Sequence, residues 1–306
     1  MATAATSDKG NSGLALALIG FVVLSCGDAV VKTMVAAISP PEIAALRFTL
    51  GALGLGALVA LRRGWTGFGG QPWRWQALRG GGVALATTGF FGAVSIMPLA
   101  TATAIGFTSP ILTSLLAAVL LGEKIRRPTI IAALVAFAGT LVVLRPNFAA
   151  LGWSALLPLV AALGGSAMMV GNRAISGHTD PLASQFWMAA IAAPLLIAVA
   201  LLGHASGIAH LALIWPPVTI LLLCSAVAVT ASTSHWLIYL ATRDAGAGTV
   251  APFTYIQLLV ALALGAAIFG DRPDAVALAG SGVIIAAGLY LWWSNSRYSA
   301  DEVPGA

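Results

Sequence analysis

Ten stretches of roughly 20 mostly apolar residues succeed one another along the chain, near 13–36, 42–61, 78–97, 101–121, 128–144, 153–173, 181–202, 217–240, 248–269 and 273–293. A helix needs about 20 such residues to cross the hydrocarbon of a bilayer. Inside that hydrocarbon a backbone must satisfy its own hydrogen bonds, which a helix does within one segment. The longest polar gap, 62–77, leaves no room for a soluble domain. Only 8% of the residues are charged, against about 25% in soluble domains, too few to cover a water-facing surface. The expected fold is an all-α integral membrane protein with ten transmembrane helices.

The net charge of +5 does not point to nucleic acid, because the cations sit in short loops beside apolar runs rather than on one face of a domain. Such cations set orientation in the membrane. With the N-terminus in the cytoplasm, eleven fall on that side: Lys9, Arg62, Arg63, Arg74, Arg79, Lys124, Arg126, Arg127, Arg173, Arg243 and Arg297. Two, Arg145 and Arg272, fall on the other. Both termini are therefore expected in the cytoplasm. Trp73, Trp75, Trp153, Trp215, Trp292 and Trp293 stand near the expected interfaces as an aromatic belt. The first apolar run is too long for a signal-peptide core and no A-x-A site follows it. It reads as a retained helix of a multi-pass protein in a bacterial inner membrane. Cys26 and Cys224 form no C-x-x-C pair, and no metal or cofactor is expected.

The chain repeats itself. Gly122-Glu123-Lys124 ends the fourth run and Gly270-Asp271-Arg272 the ninth; Ser39-Pro40-Pro41 precedes the second and Thr179-Asp180-Pro181 the seventh. These offsets, 148 and 140 residues, divide the chain into a tail (1–12), two five-helix halves (13–146 and 147–294) and a second tail (295–306). Five is odd, so the halves lie inverted in the membrane. Inverted repeats are a transporter architecture, with the solute site near the midplane between the halves.

The stretch PEIAALRF, Pro41–Phe48, resembles the start of the second helix in EamA-type proteins of the drug/metabolite transporter superfamily. SPILTSLLAAVLLGEK, around Pro110–Glu123, resembles their fourth helix and its Gly-Glu corner. YIQLLVALALGAAIFGDR repeats this weakly, with Leu258 in place of Pro110 and Asp271 in place of the usual Glu. The likeness covers nearly the whole chain, and within the superfamily it is greatest to bacterial exporters of amino acids, including aromatic ones. It implies export of small metabolites by alternating access.

Charges inside a bilayer are candidates for function. Asp28 and Lys32, four residues apart, share a face of the first helix, and Arg47 enters on the second. Two readings are open. The three could line a cavity for a zwitterion, Lys32 or Arg47 taking a carboxylate and Asp28 an ammonium. Alternatively Asp28 and Lys32 neutralise each other while Arg47 snorkels to the outer headgroups. The 140-residue offset puts Met168, Asn172 and Trp187 at the corresponding positions, so Trp187, with Gln185 nearby, is a candidate for packing against a substrate. Ser232, His235 and Tyr239 share a face of the eighth helix within a polar run from Thr230; they could line the cavity or bond their own backbone. Tyr255 and Gln257 are weaker candidates. Pro110, halfway along the fourth run, is a hinge or a static kink. Glu123-Lys124 and Asp271-Arg272 read as capping or anchoring groups near water.

No H-E-x-x-H, G-x-S-x-G or P-loop motif is present, so a catalytic role is not expected. The partners expected are the bilayer and a small metabolite, an amino acid foremost, carried by a monomer. A nucleotide-sugar, sugar-phosphate or drug carrier of the same superfamily is the alternative, and a channel a more distant one.

Overall fold

The computed structural model describes residues 2–122, 127–175, 179–245 and 251–301. Eleven α-helices run through them: α1 (Ala2–Met34), α2 (Pro40–Arg63), α3 (Trp73–Ile96), α4 (Leu99–Gly106), α5 (Ser109–Leu121), α6 (Arg127–Leu151), α7 (Leu157–Ile175), α8 (Pro181–Ala205), α9 (Val218–Ala245), α10 (Ile256–Phe269) and α11 (Ala275–Asp301). The first helix begins well before the apolar run that forms its core. The Glu123-Lys124 corner lies outside the described residues.

Six spans among the described residues are long and apolar enough to cross a membrane: Gly13–Met34, Pro40–Arg63, Leu99–Leu121, Gly152–Ile175, Pro181–Ala205 and Val218–Ile238. Ile130–Val143, Phe253–Phe269 and Ala275–Leu291 are shorter apolar stretches. Helix α3 has the length, but its first two turns carry Arg74, Gln76 and Arg79, which dilute its apolar character.

The helix ends follow the local chemistry. Asp180 caps α8, accepting the N–H groups of Leu182 at 3.1 Å and Ala183 at 3.0 Å, and Pro181 starts the helix where no N–H is needed. Gly122 and Gly270 close α5 and α10 with φ of +70° and +66°, a left-handed backbone that glycine adopts without strain. The fourth run is broken at Phe107–Thr108, and Pro110 falls in the first turn of α5.

Helix α1 packs along α9, α3 along α7, α2 along α8, α6 along α11, and α4 against α10. Exchanging the first five runs for the last five leaves this pairing unchanged, since α1 with α9 becomes α7 with α3. The contacts are close where side chains vanish. A methyl group on Gly82 would stand 2.6 Å from the Met168 nitrogen, and one on Gly164 2.3 Å from that of Ala86. Small residues permit this backbone approach between membrane helices. The largest apolar core runs through both sets, from Ala29 to Ile284.

Candidate functional site

Arg47 stands two turns into α2 and reaches toward the centre of the bundle. Its guanidinium lies 5.0 Å from the ring centre of Phe48 and 5.6 Å from that of Phe91 on α3, a cation–π arrangement. The aromatic rings, not headgroups, receive the charge. Arg47, Phe48, Gly51 and Leu55 recur at helical spacing and form one wall of a cavity of about 70 Å³. Val83 of α3 closes a second side, Leu182, Gln185, Met188 and Ala189 of α8 a third, and Ser232, His235 and their neighbours on α9 a fourth. A mostly apolar wall with a few converging polar groups is the usual make-up of a small-molecule site.

The sequence candidates divide between this cavity and other places. Arg47 and His235 are in its wall. Asp28 interacts electrostatically with Arg47. Lys32 is elsewhere: its Nζ donates to Asp271 Oδ2 and lies 4.7 Å from the Phe269 ring centre. Asp271 also accepts the N–H of Leu99 at 3.3 Å. The pair is largely withdrawn from water, with side chains 12% and 17% exposed. Mutual neutralisation of Asp28 and Lys32 is thereby corrected, as is the reading of Asp271 as a helix-end anchor near water. The backbone does the capping there, through Gly270 and the Asp271 N–H to Gly265 O bond of 3.0 Å, so the carboxylate is free to turn inward.

Trp187 donates its indole N–H to Phe68 O at 2.9 Å, and Phe186 beside it packs edge-on against Phe68 at 4.9 Å. Both hold the Trp65–Phe68 turn, and Trp187 is not in the cavity wall. On α9, Ser232 donates to Ala228 O and Ser234 to Thr230 O, each at 2.8 Å, so these hydroxyls serve their own helix. Tyr239 belongs to α9, but its side chain lies outside the described residues. Tyr255 packs edge-on against Phe107 at 5.1 Å.

Sequence reading passed over Arg79, counting it among the loop cations. It is 3% exposed, inside α3, and bonds Asn172 Oδ1, Gln76 Oε1 and both the hydroxyl and carbonyl oxygens of Ser184. Only its place at the edge of an apolar run hinted at burial. Arg63 pairs with Asp180 at 2.7 Å near the same end of the bundle, the Arg63 end; the Lys32 pair marks the opposite one.

Helices with lipid-compatible faces around a central apolar cavity define a multi-pass membrane transporter. The chain belongs to the EamA-like transporter family, whose pattern matches residues 11–145 and again 152–293. It is 27% identical to a riboflavin transporter of Rhizobium johnstonii over 74% of this chain and 72% of that one. It is 24% identical to an S-adenosylmethionine uptake transporter of Rickettsia bellii over 95% and 97% of the two chains. With a pseudopaline exporter of Pseudomonas aeruginosa it shares 26% identity over 92% and 95%. These relatives are bacterial and carry small metabolites, without singling out aromatic amino acids. One crystal structure superimposes with a TM-score of 0.62 over 94% of this chain and 99% of the other, at 21% identity, a likeness of fold.

Proposed function

We propose that the chain exports amino acids, aromatic ones among them, or similar small metabolites from the bacterial cytoplasm, as a monomer in the inner membrane. Two inverted five-helix halves, 13–146 and 147–294, span the bilayer ten times with both termini in the cytoplasm. They open the central cavity to one side at a time. The Arg63 end then faces the cytoplasm and the Lys32 end the outside. Unchanged pairing on exchange of the halves supports the inverted repeat, and so does the family pattern occurring twice.

The observation that carries the reading is the cavity itself. Its walls come from α2 and α3 of one half and α8 and α9 of the other, and Arg47 stands in it with Asp28 in electrostatic reach. In this reading Arg47 takes the carboxylate of a zwitterion from within the cavity wall, and Asp28, which is not in that wall, meets the ammonium once the cavity opens. At about 70 Å³ the cavity is well below the 300 Å³ or more typical of ligand pockets, so the proposal requires it to widen when it takes up solute.

The relatives favour a second reading, a larger metabolite such as S-adenosylmethionine or riboflavin, the first of which is also an amino-acid zwitterion. Purified protein in liposomes, assayed for counterflow with phenylalanine, other amino acids, S-adenosylmethionine, riboflavin and a sugar phosphate, separates the readings. Trans-stimulated, saturable amino-acid flux is expected. Response to riboflavin or the sugar phosphate with none to any amino acid would overturn the amino-acid class.

A further inference from the structure

A buried arginine whose partners among the described residues are all neutral carries the inference. Arg79 is one turn before Val83 on α3, and Val83 lines the cavity, so Arg79 lies just below the cavity toward the Arg63 end. Its bonds to Gln76, Asn172 and Ser184 are all to uncharged oxygens. Among the described residues one terminal nitrogen, Nη2, meets the sulfur of Met188 alone, at 3.8 Å, and Met188 is itself part of the cavity wall. The carboxylates among the described side chains are engaged elsewhere: Asp180 with Arg63, Asp271 with Lys32, Glu42 at the Ile214 N–H, and Asp28 near Arg47. Asp274 caps α11. A buried cation without an anion is costly, and guanidinium is shaped for bidentate binding of oxyanions. Room for it is kept by Gly171, where a methyl group would stand 2.5 Å from Arg79 Cγ.

We propose that Arg79 is a second anion-binding residue of the transport path. When the Arg63 end opens, the Met188 sulfur withdraws and Nη2 takes the carboxylate or other oxyanion of the solute, which then passes up to Arg47. Because α3 comes from one half and Asn172 and Ser184 from the other, the guanidinium is released from part of its neutral shell as the halves separate. The proposal rests on the carrier reading only in that the cavity opens at this end; it holds for any anionic solute.

The test needs no known substrate. In the full chain with Cys26→Ser and Cys224→Ser, Met188→Cys is labelled in liposomes with two thiol reagents of equal reach, an anionic sulfonatoethyl and a cationic trimethylammonioethyl methanethiosulfonate. Relative to a free thiol in solution, the anionic-to-cationic rate ratio is expected to be raised, and Arg79→Gln to lower it by roughly tenfold, while Arg79→Lys keeps it. The same comparison at Gln185→Cys removes any dependence on Met188's own contact. A ratio unmoved by Arg79→Gln at both positions, or no reaction at either from either side, would overturn the proposal. Preserved charge preference in a protein that moves no amino acid would uphold the anion site and remove the amino-acid class instead.

Discussion

Lys32 and Asp271 are 239 residues apart in sequence and hold each other's charge away from water. Removing one member leaves the other buried and unpaired, whereas replacing both with apolar groups does not. Lys32→Met alone should therefore cost about 3 kcal/mol, and Lys32→Met with Asp271→Leu should recover most of it. Thermal unfolding in detergent reads both; additive losses in the double variant would exclude the coupling. Asp28 and Arg47 were legible as deep charges because each interrupts a long apolar run. The partner of Lys32 was not, because pairing across such a separation leaves no periodic trace, and Asp271 sits beside a glycine corner that by itself suggests a helix end. Arg79 was misplaced for a related reason: the third run begins at Leu78, one residue before it, so it read as a cation at the run's edge, whereas the oxygens of Gln76, Asn172 and Ser184 hold it buried inside α3.

Among elements, the α3–α7 contact is intolerant of change at its glycines. Gly82→Ala drives a methyl group into backbone atoms of α7, and overpacking of this kind costs roughly 1–3 kcal/mol. Gly81, one residue earlier, has nothing within 4 Å of the same methyl, so Gly81→Ala should be neutral or stabilise by up to about 1 kcal/mol through helix propensity. Melting temperatures of the two variants should move in opposite directions or one should stay fixed; equal losses would mean that α3 and α7 do not approach as described. A second contact of this scale is the Trp187 bond to Phe68 O. Trp187→Phe keeps an aromatic side chain without the N–H and loses about 1 kcal/mol in the same melt, with transport retained; abolished counterflow in a stable Trp187→Phe protein would return Trp187 to the solute path. The sequence marked Pro110, since a proline halfway along an apolar run signals a kink or a break. It did not mark where the break falls, because proline starts α5 as readily as it would kink a continuous helix.

For the whole molecule, the proposed orientation rests on the cation asymmetry, and the proposed inverted repeat on a helix pairing that survives exchange of the halves. A fluorescent protein fused after Ala306 should be fluorescent in cells, and alkaline phosphatase at the same position inactive, if the C-terminus is cytoplasmic. The reverse pattern would remove the assigned orientation. The all-helical, multi-pass class was open to sequence reading because lipid imposes a simple rule on length and apolarity. The cavity wall was only half open to it: Val83, Met188 and Ala228 are ordinary core residues by type, and only the crossing of four helices makes them a surface.

The most direct test of the account is trans-stimulated phenylalanine flux in liposomes holding wild-type, Arg47→Ala or Lys32→Met/Asp271→Leu protein. The account predicts saturable, trans-stimulated flux for the wild type, a loss of at least about tenfold for Arg47→Ala, which removes roughly 1.4 kcal/mol or more of solute binding, and retained flux for the double variant. Flux that Arg47→Ala leaves intact would contradict the central claim that the solute passes through the cavity between the halves.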